Sequence, residues 1–123
     1  MDKRFVISSF AYALLGLALG IYMAASKNHE QLVTHAHIML LGFVVSFTYG
    51  VCHKLWLNNS HTKLSHIQFY LHQAGTLLLL IALFLLYGKF ASADTLEPLL
   101  SVGSITVFIS LLLMSILMLR APD

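Results

Sequence analysis

The sequence predicts an all-α integral membrane protein, a four-helix up-down bundle, and three observations carry that prediction. Of its 123 residues 59% are hydrophobic and 10% are charged, whereas a soluble domain carries about 25% charged residues. Mean hydropathy is +0.83. Four apolar runs follow one another, each at or above the ~20 residues needed to cross hydrocarbon, and short polar links join them. The whole chain, 1–123, therefore reads as a single transmembrane domain. Its one cysteine, Cys52, excludes an internal disulfide. A net charge of +2 is too small to point to nucleic acid.

The first span is expected over about 5–25. The start Met1-Asp2-Lys3-Arg4 resembles the head of a secretory signal, but the apolar run behind it is long and has no convincing cleavage site, so it reads as a retained helix. Gly16 and Gly20 give this span a GxxxG pattern suited to close helix packing. The second span is expected over about 32–56, the third over 64–87 and the fourth over 96–119. Links this short force antiparallel neighbours, so both ends of the chain lie on one side of the membrane. That side holds Lys3, Arg4, Lys54, Lys63 and Arg120, while the other has Lys27 and Lys89 with Glu30, Asp94 and Glu97. The positive-inside rule then makes both termini cytoplasmic, with the inner membrane of a bacterium as the expected location.

The seven histidines carry the functional signal. His29, His61 and His66 lie in or beside links and read as solvated, and His53, beside Lys54, reads as interfacial. His35-Ala36-His37 stands just inside the second span and His72 inside the third, where ionisable groups are costly and mark a site by default. Two residues apart on a helix is roughly 200° of rotation, so the His35 and His37 rings face nearly opposite sides. Such a pair cannot chelate one ion but can serve two sites. On the same wheel Gly42, Ser46 and His53 fall within roughly 20° of His35. A flat porphyrin would require small residues of this kind beside its axial ligand. His37 instead shares its side with Val44, Thr48, Val51 and Leu55.

Imidazole suits haem iron, copper and zinc. There is no cysteine pair, no carboxylate deep within a span (Glu97 stands at the very head of the fourth) and no CxxCH attachment motif, so a haem here would be a non-covalent haem b. His37 and His72 are expected to differ in depth by more than ~10 Å. The opposite axial ligand is then sought in His35 or His37 of another subunit, which predicts a homo-oligomer. The rival reading is a copper or other metal-binding or transport protein using His35, His37 and His72 with Met39. A structural or assembly subunit, its histidines merely joining helices, is the third.

His35-Ala36-His37 followed by Leu40-Leu41-Gly42-Phe43 and Tyr49-Gly50 resembles the His-x-His helix of the haem-copper oxidase catalytic subunit. The chain also resembles the small stand-alone membrane proteins labelled cytochrome c oxidase-like, in which a similar helix is followed by one carrying a stretch like Leu71-His72-Gln73-Ala74-Gly75. The resemblance covers roughly 32–88. It implies that one histidine of the pair serves a low-spin haem and the other a high-spin haem. It also implies that a homotrimer could rebuild the three four-helix arcs of the larger subunit. Function would then be electron transfer, with a redox partner, or binding of a diatomic gas such as oxygen or nitric oxide. An oxidoreductase activity would follow from an open iron. A His–Tyr pair of the oxidase type and a third copper histidine are missing, so full oxygen reduction and proton pumping are not expected.

Overall fold

A computed structural model describes residues 1–59 and 61–122, and among these the chain is all-helical. Four helices are long and apolar enough to cross a membrane: α1 (Asp2–Ser26), α2 (Leu32–Leu55), α3 (Lys63–Tyr87) and α4 (Ala93–Arg120). Each starts up to three residues before the apolar run, or with it, because a helix keeps its own hydrogen bonds beyond the hydrocarbon it crosses. At 1.5 Å per residue the 25-residue α1 and α3 are ~38 Å long, more than the ~30 Å hydrocarbon core.

The ends follow from local chemistry. Thr62 and Ser92 cap α3 and α4 by accepting from the backbone N–H of Ser65 (3.2 Å) and Thr95 (3.3 Å). α1 stops at Lys27, which turns left-handed (φ 56°), and Asn58 and Asn59 take the same conformation after α2 (φ 52° each). Asparagine tolerates that region better than most side chains. Pro98 lies early in α4, where its missing N–H leaves only the Asp94 carbonyl without a helical partner.

The four helices form two close hairpins. In α1–α2, an added Cβ at Gly42 would lie 2.5 Å from Tyr12 Cγ, and one at Gly16 would lie 2.5 Å from Met39 Sδ. In α3–α4, Gly75 faces Thr106 and Gly103 faces the Leu79 backbone. Small residues let these backbones meet, as expected where lipid supplies no hydrophobic force between helices. The hairpins join each other differently. Their backbones approach at few places, and large polar side chains bridge the gap. Tyr12 Oη donates to Gln73 Oε1 (3.0 Å), Gln73 Nε2 donates to Ser8 Oγ (3.0 Å), and Gln31 Nε2 donates to the Phe84 carbonyl (3.0 Å).

Polarity is inverted relative to a soluble fold. Ser9, Ser46, His53, Ser65, Gln68, His72, Thr76 and Ser110 are fully buried, while Leu14 (72%) and Phe108 (67%) stand exposed. That distribution suits a lipid surround and marks an integral membrane protein.

One feature of α2 is invisible in its composition. Residues Ile38–Val45 form a π-helix between two α-helical pieces. Its wider i→i+5 turns advance each residue by less rotation than an α-helix does. A straight-helix wheel therefore fails across this segment, and every side chain after Val45 is re-aimed.

Candidate functional site

The two histidines at the head of α2 are held in the same chemical way by different partners. His35 lies against α1: Nδ1 is 2.8 Å from the Gly16 carbonyl, and an added Cβ at Gly20 would sit 3.0 Å from His35 Cε1. The GxxxG pattern of α1 is thus a seat for an imidazole as well as a helix contact. His37 turns back on its own helix, with Nδ1 2.8 Å from the Val33 carbonyl. A carbonyl only accepts, so Nδ1 must carry the proton in both neutral rings. Each Nε2 is left with its lone pair and no protein hydrogen bond among the described residues. Tying one nitrogen to a carbonyl to present the other is the usual preparation of a ligating histidine. Both residues are half-buried.

The small residues expected beside His35 divide. Gly42 shares the α1-facing side with His35, but the Tyr12 ring fills the space next to it. Ser46, re-aimed by the π-helix, faces α3 instead, with Oγ 2.8 Å from His72 Nε2. The His35 ring itself lies against Gly20 of α1.

His72 is fully buried and opposite Ser46. Ser46 lies nine residues beyond His37 along α2. His72 is not brought together with His35 and His37. Among the described residues no group of three or more His, Cys, Asp or Glu side chains converges. A copper centre of His35, His37 and His72 is therefore not formed by one chain.

His53 corrects the sequence reading. It was expected at the interface; it is wholly buried, stacked on Phe5 at 5.5 Å. After the π-helix, Ser46, Tyr49 and His53 point into the bundle, and Phe5 closes over them. His29 and His61 are exposed as expected. His66 is half-buried, its Nδ1 on the Thr62 carbonyl at 2.9 Å.

The surroundings of His72 are residues that sequence reasoning passed over. Tyr49 meets its ring edge-on at 5.1 Å and Phe5 lies at 6.1 Å. Gln68 and Thr76 flank it on α3, both fully buried. Their signal was present: Ser65, Gln68, His72 and Thr76 recur at steps of three and four, a polar stripe along an otherwise apolar helix.

No protein-family model, curated protein or solved structure matches this chain.

Proposed function

We propose that the protein is a membrane b-type cytochrome whose haem is held by His35 and His37 across interfaces between copies of the chain. The observation that supports this reading is the shared state of the two rings, with Nδ1 committed to a carbonyl and Nε2 left as a free donor. His35, fixed by Gly16 and Gly20, would serve one interface. His37, standing on the same helix about half a turn away, would serve the next. Three copies arranged as a closed ring satisfy both rings of every chain, which makes a homotrimer the simplest assembly. The termini lie on the cytoplasmic side in this reading, and the pair near the opposite side.

Bound there, haem supplies one-electron transfer when both axial positions are filled, or gas binding when one is open. The chain's own part is to fix ring orientation and tautomer, and to surround the site with aliphatic walls that exclude water. Leu32 and Leu40, exposed on the same stretch of α2, supply such surface.

The test is an optical spectrum of the purified full chain, oxidised and dithionite-reduced, with and without carbon monoxide. A Soret band with sharp reduced bands and no carbon monoxide shift means bis-histidine electron transfer. A shift means an open iron and gas chemistry. A colourless protein, expressed with ample haem supply, overturns the reading.

A further inference from the structure

The half of the bundle nearer the termini holds more polar atoms than its hydrogen bonds account for. Among the described residues Tyr49 Oη, both ring nitrogens of His53, His72 Nδ1, Gln68 Oε1 and Thr76 Oγ1 are buried without a protein partner, and Asn59 Oδ1 joins them at the terminal end. The His72 orphan does not depend on the tautomer. If Nε2–H donates to Ser46, Nδ1 is a bare acceptor; if Ser46 donates to Nε2, Nδ1–H is a donor without an acceptor. Unpaired polar groups in hydrocarbon cost several kcal/mol each. So many together are not tolerated dry, and the ordinary remedy is bound water, which typically satisfies about three such groups at once.

Their arrangement is linear. Along α2 and the turn after it the order from the terminal end is Asn59, His53, Tyr49, Ser46; on α3 it is Gln68, whose Nε2 donates to Ser110 of α4, then His72 and Thr76. His53 to Ser46 is seven residues, His72 stands opposite Ser46, and Thr76 is four residues further. The line is therefore ~16 Å long, about half the hydrocarbon thickness. At its mouth the Asp2 carboxylate lies near Asn59 and within electrostatic reach of His53, as does His61. Lys54 stands beside Asp2 on the surface. Phe5 crosses the line, touching Tyr49, His53 and His72. Beyond Thr76 the line ends under an apolar cleft walled by Leu19, Ile38, Leu80 and Phe84.

We propose that this α2–α3 seam is a hydrated half-channel that exchanges protons between the aqueous side bearing the termini and His72 in the middle of the membrane. Imidazole takes a proton at one nitrogen and gives one up at the other, and His53 has both nitrogens free for that exchange. The Tyr49 hydroxyl and intervening water carry the proton past Phe5, and His72 receives it opposite Ser46. No electron moves. The half-channel does not depend on the haem reading, since it uses none of the residues assigned to the haem.

The test is solid-state nuclear magnetic resonance on the full chain, with 15N-labelled histidine, in lipid bilayers. Magnetisation should pass from water to the ring nitrogens of both His53 and His72. Tyr49→Phe, which keeps the ring and removes the hydroxyl, should slow water exchange at His72 roughly tenfold, about the effect of one lost hydrogen bond, and leave His53 unchanged. No transfer to His72 in the unaltered protein overturns the proposal, and that measurement stands even if the variant does not fold. Exchange at His72 indifferent to Tyr49→Phe overturns it too.

Discussion

The two histidine pairs of this molecule differ in which resource each lacks. His35 and His37 are half-buried, each with one nitrogen anchored on a carbonyl and the other without a protein partner among the described residues. His53 and His72 are sealed inside, surrounded by aromatic rings, and among the described residues both His53 nitrogens and His72 Nδ1 have no protein partner, while His72 Nε2 meets Ser46. On the readings proposed above, the first pair would hold a group outside the chain and the second would admit water. Burial alone would have ranked them in the opposite order. What separates them is the tautomer that a fixed carbonyl imposes on the first pair, set against the open nitrogens on His53 and at His72 Nδ1.

The sharpest way to break this comparison is to delete each pair. Replacing both His35 and His37 by alanine should abolish the Soret band of the purified protein, while His72→Ala should retain it; the reverse pattern would exchange the two roles. Next in size is the stability cost of the inner pair. His72→Ala removes a packed ring and leaves Ser46 without its partner, and should cost about 2–4 kcal/mol by reversible unfolding in mixed micelles. A cost near zero would mean that His72 does not hold the hairpins together.

Gly42→Ala probes the wall beside His35, because its Cβ would collide with the Tyr12 ring. Overpacking there should cost about 1–3 kcal/mol in the same unfolding measurement. Gln73→Leu cuts the bridge between Tyr12 and Ser8. Hydrogen bonds between membrane helices average well under their expected worth, so about 1 kcal/mol is predicted. The smallest effect should come from Glu30→Gln. Its pair with Lys89 is 3.6 Å apart and largely exposed, and melting should move by no more than an exposed ion pair allows, under about 1 kcal/mol.

The sequence made the spans legible because a run of apolar residues has one reading in lipid. The limits 5–25, 32–56, 64–87 and 96–119 lie within three residues of the helices observed. His35 and His37 were also legible, since two imidazoles inside a span advertise themselves whatever surrounds them. The faces beyond Val45 were not. Placing Ser46 and His53 beside His35 assumed a uniform 100° step, which Ile38–Val45 does not keep, and reading His53 as interfacial rested on Lys54 next to it. An eight-residue stretch of Ile, Met, Leu, Gly, Phe and Val holds no proline or other break to announce a change of pitch. The inner cluster was missed for a different reason. Gln68 and Thr76, one helical turn either side of His72, are common residues one at a time, and only the crossing of α2 with α3 brings Tyr49 to it.

The widened turn in α2 has a consequence for how this protein can change. A π-helical stretch holds the length of chain that an insertion would leave behind in an α-helix. Removing one residue between 38 and 45 would let the helix rewind, swinging Ser46, Tyr49 and His53 away from α3 while leaving His35 and His37 where they stand. One deletion would thus do what no set of substitutions could, turning half of a helix without moving the other half. Lineages descended from such a sequence should therefore differ in this region by gaps rather than by replaced residues.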